Sequence, residues 1–140
     1  MDIDLAKQIE IFFSSRMFGV IGASTNREKY GNKVLRVYLQ NNKKVIPVNP
    51  HEKSIEGIAC VAEVENLPAE VKSISIITPP PITEKIVRQA IKKGIKNIWM
   101  QPGAESDTAI KLCEANNINV IAKGPCVLVT LGFHESSNIA

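Results

Sequence analysis

Apolar residues follow two alternating patterns along this 140-residue chain. Short apolar runs of strand length alternate with stretches in which apolar residues recur every three or four positions, as on one helix face. The runs predict five strands, at about residues 17–21, 44–48, 73–78, 97–101 and 119–122. The periodic stretches predict helices at residues 4–13, after Gly31, from Ile82 to Gly94, and around Cys113. A short further segment is expected at residues 61–64.

Strands that read as continuous apolar runs, separated by helices, indicate a parallel sheet covered on both faces. With right-handed crossovers, this pattern predicts one doubly wound, Rossmann-like α/β domain over residues 1–140, with five strands in the order 3-2-1-4-5. In such a sheet the ligand crevice lies at the carboxyl ends of the strands. We expect it near the switch between the first and fourth strands.

Composition and charge narrow the class of protein. Hydrophobic residues make up 44% of the chain and charged residues 22%, a normal globular balance. The net charge of +3 is small and dispersed, so nucleic acid is not an expected partner. No apolar run approaches the roughly 20 residues needed to cross a bilayer, and the first residues carry acid where a signal peptide carries base. Membrane association is therefore not expected.

The three cysteines, Cys60, Cys113 and Cys126, lie far apart in the sequence. Their spacing fits neither a zinc site nor a disulfide framework, so we expect no metal and a cytoplasmic location. Cys126 is a reactive candidate, because it lies on the predicted rim of the crevice, and the alternative is a buried structural thiol, since no nearby base is identifiable. His51 and His134 are expected to be surface histidines, since neither has a carboxylate at a recognisable spacing.

The turn after the first strand predicts a phosphate-binding loop. Gly22 allows a sharp turn and close backbone approach to a ligand, and Ala23 and Ser24 add little bulk. The helix that follows begins with amide groups that lack helical partners, which favours an anion.

The residue type at the end of the second strand distinguishes between classes of nucleotide ligand. Dinucleotide enzymes usually place an acidic residue there to hold the ribose hydroxyls, whereas this chain has Asn49-Pro50, with Lys53 close behind. The pattern therefore favours a phosphorylated ribose. Two ligands satisfy it, a phosphorylated nicotinamide cofactor or coenzyme A.

Five motifs, in order, carry a family resemblance: Val20-Ile21-Gly22-Ala23-Ser24, Lys29-Tyr30-Gly31-Asn32, Ile46-Pro47-Val48-Asn49-Pro50, Trp99-Met100-Gln101-Pro102-Gly103-Ala104 and Gly124-Pro125-Cys126. Over residues 17–129 the chain resembles the single-domain CoA-binding proteins, which are similar to the amino-terminal domain of the succinyl-CoA synthetase alpha subunit.

The resemblance implies that coenzyme A is the cofactor and places its contacts. Ser24, Thr25, Asn26 and Arg27 fall where the first loop meets the phosphates, and Lys53 falls where a lysine reaches the cofactor. The full set of expected cofactor-binding residues is Gly22, Ala23, Ser24, Thr25, Asn26, Arg27, Lys29, Asn49, Pro50, Lys53, Thr78, Pro79 and Gln101. Thr78 and Pro79 are expected to flank the adenine, and Arg27, Lys29 and Lys53 to offset phosphate charge.

The sequence departs from the synthetase in ending soon after the fifth strand, without a second domain to supply a phosphorylated histidine. We therefore expect binding of coenzyme A or an acyl-CoA without catalysis, as a carrier, a sensor or an accessory protein beside a separate catalytic partner. The alternative is an NAD(P)-binding redox sensor or oxidoreductase module. A homodimer through the opening helix or the apolar tail at residues 127–131 is also open.

Overall fold

The computed structural model describes residues 4–135. Its elements in chain order are α1 (Leu5–Phe12), β1 (Met17–Ile21), α2 (Tyr30–Gln40), β2 (Val45–Val48), β3 (Ser54–Ile55), β4 (Ile58–Ala59), a short 3-10 helix (Val64–Asn66), β5 (Val71–Ile76), α3 (Pro80–Lys93), β6 (Asn97–Met100), α4 (Asp107–Ala115), β7 (Asn119–Ile121) and α5 (Val127–Leu131).

Five strands form one parallel sheet in the order β2-β1-β5-β6-β7. Successive side chains on a strand point to opposite faces, so each strand supplies two apolar layers. On β6, Trp99 packs into the layer that holds α1, α2 and α5, whereas Ile98 and Met100 pack into the layer that holds α3 and α4. Helices therefore cover both faces, which confirms the predicted Rossmann-like α/β class.

The predicted strand order is wrong in the position of the third long strand. This strand, β5, pairs with β1, so the order in the numbering of the sequence prediction is 2-1-3-4-5 rather than 3-2-1-4-5. The outer side of β2 meets Val61 instead, through a single parallel bridge to Val48. The physical reason is that Val61, in the segment after β4, pairs with the outer side of β2 before the chain continues to β5. The switch point consequently lies between β1 and β5, not between the first and fourth predicted strands.

Helix α1 lies along β7 at the edge of the sheet. Asp4 caps it, because its Oδ1 accepts a hydrogen bond from the Lys7 amide at 2.9 Å. Gln8 Nε2 donates to the Val120 carbonyl oxygen at 2.9 Å, and Asn119 Nδ2 donates to the Gln8 carbonyl oxygen at 3.0 Å. These bonds fasten the helix to the backbone of the edge strand.

The apolar tail predicted at residues 127–131 forms α5, which packs against α2. Val127 is fully buried, and the Leu131 carbonyl oxygen accepts a hydrogen bond from Asn41 Nδ2 at 3.0 Å. Part of the tail's apolar surface is thus covered within the chain itself. No helix described between residues 4 and 135 is long and apolar enough to span a membrane.

Candidate functional site

A cavity of about 270 Å³ opens at the carboxyl ends of β2, β1 and β5, beside the switch point. Four predicted site residues line it: Gly22, Asn49, Pro50 and Thr78. The other lining residues come from the strands, the segment after β4 and helix α3, and they are Ile21, Val48, Ala62, Glu63, Ile82, Lys85, Ile86 and Gln89. A lining that combines apolar side chains with a few polar ones suits a flat heterocycle carrying polar edges.

The α3 residues of this cavity were missed as site residues. Their helical spacing had assigned Ile82 and Ile86 to the core face of a helix. Ile82 is 41% exposed in the structure, and Ile86 is half-buried. An apolar residue directly after a proline run, at the first turn of a helix, was the available signal.

The β1–α2 loop begins at Gly22, whose φ of +90° lies in the left-handed region that favours glycine. A Cβ there would come within 3.2 Å of the Ile77 carbonyl oxygen, so this position is also spatially tight. The loop then holds its own shape. Ser24 Oγ accepts from the Asn26 amide, and Asn26 Oδ1 accepts from the Glu28 amide, both at 3.0 Å.

Several backbone amides of this loop are available to a ligand. Those of Ser24 and Thr25 donate to no acceptor within residues 4–135, and the same holds for Tyr30, the first residue of α2. Lys29 is the N-cap residue of α2, and its side chain makes no capping hydrogen bond. The loop and the start of α2 therefore present unpaired N–H groups at a positive helix end, as predicted for a phosphate site.

Gly31 sets how closely α2 approaches this loop. It is buried, and a Cβ at this position would overlap the carbonyl oxygen of Gly22. The close approach brings the N-terminus of α2 against the turn at Gly22. The sequence motif contained Gly31, but its spacing alone did not reveal this contact.

Asn49 makes two hydrogen bonds within the protein that the sequence did not reveal. Its Nδ2 donates to the Ala23 carbonyl oxygen at 2.8 Å, and its Oδ1 accepts from the His51 amide at 2.7 Å. The side chain thus ties the end of β2 to the β1–α2 loop, in addition to lining the cavity. Asn49 is a residue that positions the loop.

Arg27 lies in an ion pair rather than standing free. Its Nη1 is 2.7 Å from Glu56 Oε1, with the Arg27 side chain 53% exposed and the Glu56 side chain 17% exposed. Glu56 lies in the turn between β3 and β4 with a φ of +50°. The hairpin is therefore connected to the β1–α2 loop through charge.

Behind this pair lies a buried polar network that the sequence did not reveal. Asn32 Nδ2 donates to the Ser24 carbonyl oxygen at 2.9 Å and to Glu56 Oε2 at 3.0 Å. Arg36, which is 1% exposed, donates from Nε to Asn32 Oδ1 at 2.6 Å and from Nη2 to the Arg27 carbonyl oxygen at 2.8 Å. Loop, hairpin and helix α2 are braced together by these bonds.

Four other predicted site residues lie outside the cavity wall. Thr25, Lys29, Lys53 and Pro79 are exposed, and none of the four lines the cavity wall. Lys53 is held at its backbone, because its carbonyl oxygen accepts from the Cys60 amide at 2.9 Å. Pro79 is the N-cap residue of α3, and Thr78 Oγ1 lies 2.9 Å from Thr83 Oγ1.

Gln101 lies directly after β6, two strands from β1. Its side chain is 1% exposed, and its Oε1 accepts a hydrogen bond from the Val127 amide at 3.1 Å. Its Nε2 has no hydrogen-bond partner among residues 4–135. Glu105 Oε2, in the turn that leads to α4, is likewise buried and unpaired in that part of the chain.

Burial affects the pKa of two of the three thiols. Burial raises the pKa of the Cys113 thiol to about 12, and burial also raises the pKa of Cys60. Cys126 is half-buried at the N-cap of α5. Residues 4–135 contain no group of three or more histidine, cysteine or acidic side chains placed to hold a metal ion.

A larger hollow, of about 670 Å³, lies between α1, α4 and β7. Gln8, Ile110 and Val120 are among its lining residues, and it includes none of the predicted site residues. The smaller cavity is the better candidate site, because it lies at the switch point beside the glycine turn.

A doubly wound parallel sheet, a glycine turn after its first strand and a crevice at the switch point together define a Rossmann-like nucleotide-site architecture. The family comparison is consistent with this class. The family model "CoA binding domain" matches residues 16–131, so the chain belongs to the CoA binding domain family.

Two curated relatives are ADP-forming acetate–CoA ligases. The chain is 30% identical over 91 residues to the II subunit alpha from Pyrococcus furiosus, covering 64% of this chain and 20% of the relative. It is 28% identical over 126 residues to the ligase from Methanocaldococcus jannaschii, covering 85% of this chain and 18% of the relative. The chain thus spans about a fifth of the length of these relatives.

Solved structures of similar size share the fold. A conserved hypothetical protein from Pyrococcus furiosus is 36% identical with a TM-score of 0.78, covering 82% of this chain and 98% of that chain. A hypothetical protein from Pyrococcus horikoshii is 27% identical with a TM-score of 0.84, covering 91% and 89% of the two chains. The domain therefore also occurs in chains of about this length.

Proposed function

We propose that this protein binds coenzyme A, or an acyl-CoA, across the carboxyl ends of its parallel strands. The observation that carries the proposal is the cavity at the β1–β5 switch point, which adjoins a loop with unpaired amides in a chain of the CoA binding domain family. The two features correspond to the two ends of an adenine nucleotide. One is apolar and suits the base, and the other donates hydrogen bonds and suits phosphate.

In this proposal the adenine occupies the cavity, with Thr78 and Pro79 beside it. The apolar side chains Ile21, Ile82 and Ile86 line this cavity, as do the polar side chains Glu63 and Gln89. The polar side chains would pair with the edge of the base, while the apolar side chains contact its faces.

The phosphates are assigned to the β1–α2 loop. The amides of Ser24 and Thr25 are available as donors, Gly22 and Ala23 keep the approach open, and Asn26 shapes the loop. Lys29 and Lys53 are exposed cations near this end, and half of the Arg27 side chain remains exposed beside Glu56. Exposed lysines can move to a phosphate at little cost, so their positions without ligand do not fix their part in binding.

The pantetheine arm is assigned to the neighbouring strand end, toward Gln101. Its unpaired Nε2 is a donor that a carbonyl oxygen of the arm would satisfy. The Trp99 Nε1 group is already engaged with the Pro125 carbonyl oxygen at 2.9 Å and stays structural.

The proposed role is a non-catalytic one, as a cytoplasmic carrier, sensor or accessory protein beside a separate catalytic partner. It is supported by the relatives, which are ligases about five times as long as the matched region. The matched region corresponds to a binding domain within a larger enzyme.

Titration calorimetry with coenzyme A, dephospho-coenzyme A and NADPH tests the ligand assignment. We expect micromolar binding of coenzyme A, weakened by loss of the 3′-phosphate, and weak or no binding of NADPH. Lys53→Ala should weaken coenzyme A binding severalfold. Lys96→Ala is the matched control, because Lys96 is an exposed lysine at the opposite end of the sheet.

A preference for NADPH would move the protein to the alternative class, an NAD(P)-binding redox sensor or oxidoreductase module. Absence of binding to all three ligands would refute a nucleotide role. Light scattering after size exclusion tests the dimer prediction, and a mass of 15.4 kDa would exclude a stable dimer.

A further inference from the structure

Cys126 lies in the segment that leads from the carboxyl end of β7 to α5. It follows Pro125, whose carbonyl oxygen is held by Trp99 Nε1 at 2.9 Å, and it is the N-cap residue of α5. Its own carbonyl oxygen accepts from the Val129 and Thr130 amides at 3.1 Å. The backbone is therefore fixed on both sides of a thiol that remains partly open to solvent.

A second, independent observation points to a ligand at this place. Gln101 is 1% exposed, and its side-chain amide is held against the Cys126–Val127 peptide because Oε1 accepts from the Val127 amide. The Nε2 of the same amide group has no partner in residues 4–135. A buried donor without an acceptor is costly, so this group calls for an acceptor beside Cys126.

The offset between the strands that precede the cavity residue Thr78 and Cys126 suits the length of a pantetheine arm. Thr78, which lines the cavity, follows β5, and Cys126 follows β7, two strands further along the sheet. Neighbouring strands lie about 4.8 Å apart, which gives an offset of about 10 Å across the sheet. The arm contains two amide units, each spanning about 3.8 Å, joined by methylenes, so it reaches this far.

We propose that Cys126 is a thiol–disulfide exchange site for the disulfide form of coenzyme A, with Gln101 positioning the arm. The inference rests on the proposed coenzyme A function. The Cys126 thiolate attacks one sulfur of the coenzyme A disulfide, forming a protein–coenzyme A disulfide bond as the original S–S bond breaks. The departing coenzyme A thiolate takes up the proton that Cys126 released, so one disulfide replaces another without a further oxidant.

The other thiols provide internal comparisons. Cys113 is a fully buried residue of α4, and Cys60 is half-buried in the segment after β4. Burial raises the pKa of both, which lowers the fraction of reactive thiolate.

The experiment is to incubate the reduced protein with coenzyme A disulfide and, separately, with glutathione disulfide, and to follow intact mass and peptide maps. We expect one coenzyme A adduct per chain at Cys126, formed at least about tenfold faster than the glutathione adduct. Cys126→Ser should abolish the adduct, and Cys60→Ser should retain it. S-methyl coenzyme A, which has no free thiol, should slow the reaction of the unmodified chain by occupying the site.

Gln101→Met should lower the rate with coenzyme A disulfide about tenfold, the equivalent of one lost hydrogen bond, and leave the glutathione rate unchanged. Equal rates with both disulfides, an adduct at Cys60, or no protection by S-methyl coenzyme A would overturn the inference. Calorimetry of coenzyme A with Cys126→Ser separates the two proposals. Normal binding without an adduct in the unmodified chain overturns the exchange alone, whereas absence of binding overturns the proposed function as well.

Discussion

Gly31 packs directly on the carbonyl oxygen of Gly22, so closely that a Cβ at position 31 would overlap that oxygen. Two glycines nine residues apart thus meet where the first strand gives way to its helix. One provides a left-handed turn, and the other provides the clearance that lets the helix end approach the turn. The phosphate assignment depends on this approach, because it brings the unpaired N–H groups of α2 to the loop.

We predict that Gly31→Ala lowers both stability and coenzyme A affinity. The added methyl group must push α2 away from the loop, and overpacking of this kind costs about 1–3 kcal/mol. Urea unfolding gives the stability, and calorimetry gives the affinity. Gly94→Ala is the control, since Gly94 has a φ of +87° but nothing within 4 Å of an added Cβ. Gly94→Ala should lose about 1 kcal/mol from backbone strain and keep ligand affinity.

We predict that Asn49→Asp weakens coenzyme A binding and does not create binding of an unphosphorylated dinucleotide. A carboxylate at this position has no N–H to donate to the Ala23 carbonyl oxygen, which lies 2.8 Å from Asn49 Nδ2. Loss of that hydrogen bond should release the loop and cost about 1 kcal/mol of binding free energy. Gain of NADH binding in this variant would show that the residue contacts ribose directly.

We predict that Arg36→Met lowers the free energy of unfolding by about 2–3 kcal/mol. The variant should therefore unfold at a lower denaturant concentration. Arg36 is buried, and its removal leaves Asn32 Oδ1 and the Arg27 carbonyl oxygen without these donors. Arg88→Met, on the exposed face of α3, is the matched control and should change stability by less than about 0.5 kcal/mol. A stability equal to that of the parent protein would mean that the network is not needed to hold the loop.

We predict a loss of stability above about pH 10 that depends on Tyr38. Its hydroxyl is buried 2.7 Å from Ser75 Oγ, and burial raises its pKa above the ordinary value of 10.0. In the unfolded chain the phenol ionises near its ordinary pKa, while in the folded chain it keeps its proton. The unfolded state therefore binds fewer protons above that pH, and stability falls as the pH rises.

The measurement for Tyr38 is urea unfolding between pH 8 and about pH 11, with Tyr38→Phe and Tyr30→Phe. Tyr38→Phe should remove this part of the slope, while losing the hydrogen bond to Ser75 at every pH. Tyr30 is 48% exposed, so Tyr30→Phe should retain the slope of the parent protein. Parallel curves for all three proteins would contradict the prediction.

The five strands of the sheet and helices α1 to α4 could be predicted because each has its own apolar pattern, whereas the two-residue strands β3 and β4 and the helix α5 were not predicted. The strand order could not, because no local pattern says on which side of β1 the chain arrives after β2. The single bridge between Val48 and Val61 occupies the place that the prediction gave to β5. One residue pair of this kind is too short to leave a recognisable periodicity.

The site was predicted where backbone turns define it and missed where distant side chains meet. Gly22, Asn49, Pro50 and Thr78 follow strands, so parallel topology places them at one edge. The ion pair of Arg27 with Glu56 joins residues 29 positions apart, and the chain between them shows no sign of it. All of the predicted cofactor contacts, including those of Ser24, Lys53 and Gln101, stay predictions that the binding experiments will test.

The hydrogen bonds between α1 and β7 cover part of the backbone at one edge of the sheet. An edge strand with unpaired backbone groups can pair with a strand of another molecule, and repeated pairing of this kind leads to aggregation. Gln8 Nε2 donates a hydrogen bond to the Val120 carbonyl oxygen of this edge strand. Helix α1 lies before residues 16–131, which match the family model. By covering this backbone, the opening helix leaves less of β7 available for pairing with a strand of another molecule.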